Sequence, residues 1–136
     1  MADAPDAAQR HAIAQRLLAG RLSEDQVAAP EVEYAVARLQ ATRGAARIEA
    51  VAAEVGWSRR HLAARFREAV GLSPKALGRL IRVEHAARRV RAGEALGDVA
   101  YAAGYADQSH LNREFRELVG CRPTEFPFVQ DIAPAV

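Results

Sequence analysis

Four polar side chains near residue 110 have the chemistry that recognition of nucleic-acid bases requires. Gln108, Ser109, Asn112 and Arg113 are spaced so that an α-helix would present them on one side. Carboxamide and guanidinium groups form paired hydrogen bonds with purine edges, and a hydroxyl group can bond to several bases. Arg116, about two turns into the same helix, is better placed to bind a phosphate group. These five residues are candidates for contacts with DNA.

A similar stretch lies about 49 residues earlier in the chain. Both copies contain Gly, an aromatic residue, a polar segment, His-Leu, Phe-Arg-Glu and a final Gly, with Pro three residues later. In the earlier copy Arg59 and Arg60 can bind guanine or phosphate, whereas Ala63 and Ala64 offer only methyl contacts, which suit thymine. Arg67 is the candidate for phosphate binding in this copy. The repetition indicates a duplicated module.

Apolar residues recur at helical spacing around both copies, and no segment has the alternation of a strand, so the fold class is predicted to be all-α. In each copy a short helix ends at a glycine, Gly56 or Gly104, and a longer helix follows from a capping residue, Ser58 or Asp107. A short helix, a turn containing Gly and a longer helix form a helix-turn-helix. Further helices are predicted at residues 7–19, 31–42 and 124–129.

A long helix is predicted between the two copies, from Pro74 to about Arg91. At ~1.5 Å per residue its length is roughly 26 Å. In DNA-binding helix-turn-helix units the second helix enters the major groove, and paired units bind segments one helical turn apart, ~34 Å. A rigid helix of this length suits that spacing. One chain would then imitate a dimer and bind two unlike half-sites.

Charge is distributed unevenly along the chain. Residues 57–92 contain ten basic and two acidic residues, a net +8, whereas residues 93–136 contain three Arg and seven acidic residues, a net −4. An anionic partner for the middle of the chain would explain this, and so would a solvated Arg-rich helix face. Because Glu114 and Glu117 lie among the basic residues of the second copy, we expect weak phosphate binding there. Affinity should then depend mainly on the first copy and sequence choice on the second.

Residues from about Ile48 to Phe128 resemble the DNA-binding domain of the AraC/XylS family of bacterial transcription regulators. The resemblance is most specific from Gly104 to Arg116, with Gly120 and Pro123 after it. The segment from Trp57 to Gly71, followed by Leu-Ser-Pro, is similar to the family as well.

The resemblance implies two helix-turn-helix subdomains joined by a long linker helix. It implies sequence-specific binding to double-stranded DNA, usually to activate transcription, with RNA polymerase as a protein partner. The base-reading positions that it implies are Arg59, Arg60, Ala63 and Ala64 in the first unit and Gln108, Ser109, Asn112 and Arg113 in the second.

The predicted domain organisation has three parts: a helical N-terminal extension or connector at 1–46, the DNA-binding domain at 47–129 and a flexible tail at 130–136. Within the domain the first helix-turn-helix covers about 47–71, the linker helix about 74–92 and the second helix-turn-helix about 95–120. Most family members carry an N-terminal ligand-sensing or dimerisation domain, for which the extension is too short. The chain is therefore a fragment of a longer regulator, the alternative that we favour, or a short regulator without a sensor.

Other classes of protein have little support in the sequence. No apolar run approaches the ~20 residues of a membrane span, and the N-terminus lacks a signal-peptide layout, so we expect a cytoplasmic protein. A single cysteine, Cys121, excludes an internal disulfide and a multi-cysteine zinc site, and neither a metal nor a cofactor is predicted. No catalytic arrangement is visible, so no enzyme is predicted. The remaining alternative is a helical module that binds protein through its Arg-rich middle segment.

Overall fold

The computed structural model describes residues 29–125, which form six α-helices and, over that range, no β-strand. In chain order the helices are α1 (Pro30–Ala41), α2 (Ile48–Val55), α3 (Arg59–Val70), α4 (Pro74–Arg91), α5 (Leu96–Ala102) and α6 (Gln108–Val119). The all-α prediction is confirmed. The helix predicted at 7–19 lies outside the described residues, as do the tail and most of the helix predicted at 124–129. None of the six helices is long and apolar enough to cross a bilayer.

The two longer helices of the repeat begin at the capping residues that the sequence predicts. The Ser58 hydroxyl accepts a hydrogen bond from the backbone N–H of His61 at 3.0 Å. The Asp107 carboxylate accepts the equivalent bond from the N–H of His110 at 2.7 Å. Each cap satisfies a backbone donor that has no partner within its own helix, which fixes where α3 and α6 start.

The two turns differ in length by one residue, Ala106. In both, a glycine with positive φ ends the short helix, Gly56 at +78° and Gly104 at +85°. The next residue donates its N–H to a carbonyl five residues back, at 2.9 Å in each case. In the longer turn the N–H of Ala106 donates to Nδ1 of His110 at 3.3 Å. The side chain of His110 therefore satisfies the extra residue's backbone donor.

The described residues divide into two compact units, with the division between Ile81 and Arg82 inside α4. Each unit holds one helix-turn-helix and a third helix: α1 in the first unit and the C-terminal half of α4 in the second. The buried residues of the third helices have identical spacing, namely Val32, Ala35, Val36 and Leu39 in α1, and Val83, Ala86, Ala87 and Val90 in α4. The duplication therefore extends to three helices, one more than the sequence analysis identified.

The first unit is closed by the start of α4. Leu62 and Phe66 of α3 are completely buried, and Leu77 of α4 is buried as well. Gly78 brings α4 close to the loop after α1, because a Cβ atom at this position would lie 3.3 Å from the carbonyl oxygen of Gly44. This contact makes α1 and its loop part of the support for α3.

The core of the second unit is built largely from small side chains. Alanines supply four of its ten buried residues. Phe115 and Leu111 of α6 are completely buried against them.

Candidate nucleic-acid interface

One face of α3 carries the predicted residues of the first unit. Its opposite face is buried through Leu62 and Phe66, so Arg60, Ala64 and Arg67, at positions i, i+4 and i+7, are exposed together. We call these three residues the α3 stripe. Of the other two candidates, Arg59 is exposed at the first turn of α3, and Ala63 is half-buried at the edge of the stripe.

The corresponding face of α6 carries the predicted residues of the second unit. Ser109, Arg113 and Arg116 occupy the same i, i+4 and i+7 positions and are exposed. We call them the α6 stripe. Gln108 is exposed at the first turn, and Asn112 is half-buried beside the stripe. Since both stripes stand at the same distance from the N-cap, the duplicated helices present equivalent positions with different side chains.

Asn112 is oriented in a way that limits what it can contact. Its Oδ1 atom is buried and has no hydrogen-bond partner among residues 29–125. A paired contact with adenine uses both the oxygen and the nitrogen of a carboxamide. Asn112 would have to rotate to make such a contact, whereas the exposed Arg113 would not.

Four arginines of the two stripes are available to an anionic partner. Arg60, Arg67, Arg113 and Arg116 form no ion pair with another residue in the described part of the chain. By contrast, Arg59 lies 3.7 Å from Glu49, with both side chains largely exposed. This long, solvent-screened contact leaves the Arg59 side chain able to move to another partner.

The spatial distribution of charge differs from its distribution along the sequence. Residues 29–81 contain nine basic and five acidic residues, a net +4, and residues 82–125 contain seven of each, a net charge of zero. Two ion pairs of the second unit, Arg82 with Glu114 at 3.1 Å and Arg89 with Glu94 at 2.7 Å, join the basic and the acidic segments. Over its described residues the second unit is thus neutral rather than acidic, although the first unit is still the more positive.

Glu114 has a role that the sequence analysis did not identify. Its side chain is buried, and the Arg82 guanidinium binds both of its oxygens, with Nε–Oε1 and Nη2–Oε2 distances of 3.1 Å. The guanidinium carbon lies 5.1 Å from the centre of the Tyr105 ring. Glu114 therefore faces away from the α6 stripe, and its expected competition with DNA phosphates for the nearby arginines does not arise.

The surroundings of Arg82 favour its charged form. Although burial opposes the charge, the hydrogen bonds to Glu114 raise the pKa of Arg82. Burial, together with the negative charge of Glu114, raises the pKa of Tyr105, which stays neutral. The partners are 32 residues apart in sequence, so no local pattern points to their contact.

The first unit has an ion pair of a different kind, between α1 and α2. Glu54 accepts hydrogen bonds from the Tyr34 hydroxyl at 2.6 Å and from Nε of Arg38 at 3.1 Å. The bond from Tyr34, and then those from Arg38, lower the pKa of the Glu54 carboxyl. This cluster is partly open to solvent, since about a third of the Arg38 and Glu54 side chains is exposed.

The repeated aromatic and histidine residues pack against one another in each turn. The ring of Trp57 meets that of His61 edge to face at 4.5 Å, and the ring of Tyr105 meets that of His110 at 5.0 Å. Each contact joins the turn to the first residues of the helix that follows it. Across residues 29–125, His, Cys, Asp and Glu side chains form no group of three that could hold a metal ion.

Two helix-turn-helix subdomains connected by one continuous helix define the class of the chain, a tandem helix-turn-helix DNA-binding domain. Comparison with known proteins agrees. A family described as a helix-turn-helix domain matches residues 51–127. The chain belongs to this family, which is the helix-turn-helix domain of AraC-type transcription regulators. Neither the enzyme nor the protein-interaction alternative is favoured by this membership.

Relatives of known sequence and of known structure are similar to this chain. AraC-like transcription regulators of Streptomyces lividans and Streptomyces antibioticus are 39% and 37% identical to it over 70 residues. These 70 residues are 51% of this chain but only 23% of each relative.

Two solved structures share the fold. The C-terminal domain of AraT, a response regulator from Geobacillus stearothermophilus, has a TM-score of 0.69 at 20% identity and covers 82% of this chain and 97% of its own. A probable AraC family transcriptional regulator from Rhodopseudomonas palustris has a TM-score of 0.65 at 24% identity and covers 74% of this chain and 96% of its own.

Proposed function

We propose that residues 47–129 bind two successive major-groove segments of one DNA duplex, with α3 in the first segment and α6 in the second. The observation that carries the proposal is the match between the α3 stripe and the α6 stripe. Both are exposed at the same positions after an N-cap, and their arginines have no ion-pair partner among the described residues.

In this proposal α3 and α6 have different roles in binding DNA. The α3 stripe combines two arginines with an alanine, in a unit of net charge +4, which suits phosphate binding and few base contacts. The α6 stripe, with Gln108 and Asn112 beside it, offers several groups that distinguish bases by hydrogen bonding. Affinity would then come mainly from the first unit and sequence preference mainly from the second.

The rest of the chain would link this domain to a larger regulator. The relatives are about four times as long as the matched segment, since it makes up 23% of each. We propose that residues 1–46 act as a connector, that an effector or dimerisation domain belongs to the same regulator, and that RNA polymerase is the partner through which it activates transcription in the cytoplasm. Since α1 lies within the first unit and contacts α3, a connector that ends in α1 would be joined directly to the DNA-binding domain.

The test is a selection from random double-stranded DNA with this chain. We expect two boxes about 10 base pairs apart, centre to centre, which is one helical turn. Binding to the selected site should weaken with salt, with log K falling by ~0.9 per phosphate neutralised. Enrichment of no motif, or of a single box, would contradict the two-segment proposal. Binding that is insensitive to salt would favour a protein partner instead.

A further inference from the structure

The second unit contains a directional contact beside a core that is rich in alanine and valine. Glu114 is the only charged residue buried among residues 29–125. Its partner Arg82 lies on α4, close to the alanines against which α6 packs. Apolar packing is non-directional, so it restricts the rotation of one helix against another less sharply than hydrogen bonds do. A guanidinium fork bound to both carboxylate oxygens permits little rotation, since its hydrogen bonds are planar and fixed in direction.

We propose that the Arg82–Glu114 pair is a positioning device, which sets the rotation of α6 about its own axis and thereby decides which side chains of α6 meet the DNA bases. The proposal rests on the proposed function, because it assumes that α6 enters the major groove. Glu114 directly follows Arg113, so a rotation that released Glu114 would also turn the α6 stripe. Arg82 and Glu114 are positioning residues and make no contact with bases themselves.

The first unit provides an internal comparison. The position in α3 that corresponds to Glu114 is Arg65, which is half exposed and bonded at 3.1 Å to Glu68 of the same helix. A bond within one helix cannot fix the rotation of that helix against a neighbour. Substitution of the Arg65–Glu68 pair is therefore a matched control for substitution of the Arg82–Glu114 pair. It removes an Arg–Glu pair from α3, where no bond to a neighbouring helix is lost.

A double substitution can remove the positioning contact without lowering the stability of the fold, because burying the two charges is itself costly. Replacing a buried ion pair by apolar side chains of similar size is often neutral or stabilising, since both charges no longer lose their hydration. The double variant R82M/E114L should therefore fold while losing the directional contact. The single variant R82K tests direction alone, because it keeps the charge without the fork. E114Q keeps the shape but removes the negative charge and sets an N–H donor against the guanidinium, so it tests the charge and the paired bonds together.

The first readout is discrimination on the selected DNA site, measured with single base changes in each box. For R82M/E114L we expect preference at the box bound by α6 to fall about tenfold, comparable with losing one good base contact, and preference at the other box to be unchanged. R82K should lose a similar amount, and E114Q should lose at least as much. R65M/E68L should alter neither preference. Wild-type discrimination in a folded R82M/E114L protein would overturn the proposal.

The second readout needs no DNA. Amide hydrogen exchange of the free protein should become faster in α6 of R82M/E114L while α3 keeps its wild-type protection. If the wild-type chain selects no motif, the proposed function fails, and exchange in α6 still decides whether the pair holds the helix. Unchanged exchange in α6 would overturn the proposal. So would a double variant that does not fold, because the pair would then be an element of stability.

Discussion

The helices α3 and α6 have the same length, the same kind of N-cap and the same exposed positions, but they are supported differently. The first unit carries net positive charge, and its ion pair Arg38–Glu54 joins α1 to α2 at the surface. Over residues 82–125 the second unit is neutral, and its ion pair joins α4 to α6, with Glu114 buried and Arg82 partly buried. Surface pairs are weak and screened by salt, whereas a buried pair constrains geometry. One fold, built twice, can thus favour affinity in one copy and precision in the other.

The largest expected effect on the free energy of unfolding comes from removing one buried aromatic ring from the core of each unit. Phe66→Ala and Phe115→Ala each remove a completely buried ring and should each cost ~3–5 kcal/mol of unfolding free energy. The single tryptophan, Trp57, lies in the first unit, so its fluorescence in denaturant titrations reports on that unit. We expect Phe66→Ala to move the Trp57 transition more than Phe115→Ala does. Equal shifts would show that the two cores unfold as one.

Alanine substitutions in the two stripes test whether α3 mainly supplies affinity and α6 mainly supplies sequence preference. Arg113→Ala gives α6 the alanine that α3 has at Ala64, and it should cost ~1–3 kcal/mol on the selected site with relaxed specificity there. Arg67→Ala should weaken binding to all sequences alike and reduce the salt slope by about 1. Both are measured by DNA titration at several salt concentrations. Equal losses on specific and random DNA for Arg113→Ala would rule out its base-reading role.

The N-cap of α6 should stabilise its helix more than the N-cap of α3 does. Asp107 places a carboxylate at the N-terminus of α6 with a 2.7 Å bond, whereas Ser58 places a hydroxyl at that of α3 with a 3.0 Å bond. Each change to Ala should cost ~0.5–2 kcal/mol, and Asp107→Ala should cost more because the helix dipole favours an anion there. Thermal unfolding of both variants would measure the difference. A larger loss for Ser58→Ala would contradict this electrostatic account.

The smallest effect concerns the surface pair of the first unit. Because Tyr34 and Arg38 lower the pKa of Glu54 in the folded chain, this contact stabilises the fold above the ordinary Glu range and is lost as pH falls through the lowered pKa. The stability of wild type relative to Glu54→Gln should therefore shrink on acidification. Denaturant titrations between neutral pH and pH ~3, the region of Glu titration, would measure it. A gap that stays constant over this range would mean that the pair contributes nothing through its charge.

Much of the fold is local and could be predicted from the sequence. Ser58 and Asp107 mark helix starts because their side chains satisfy backbone donors, and Gly56 and Gly104 mark ends because positive φ suits glycine. The stripes follow from the 3.6-residue period once Leu62 and Phe66, or Leu111 and Phe115, are assigned to the core. Even the third helix left a signal, since Val, Ala and Arg recur at equivalent places in α1 and α4. This signal is weaker than that of the polar segments, because small apolar residues recur in every helix of an alanine-rich chain.

Only the tertiary structure decided what the charged residues do. Arg82 and Glu114 contribute equally to a charge count whether they face solvent or each other, and their contact joins helices 32 residues apart. A count by sequence segment therefore made the second unit acidic, although counting by unit makes it neutral. Burial and partner choice depend on which helices pack together, and helical period and capping carry no information about that. The sequence by itself determined the helices and the faces they expose, and the packing determined which charges remain for a partner.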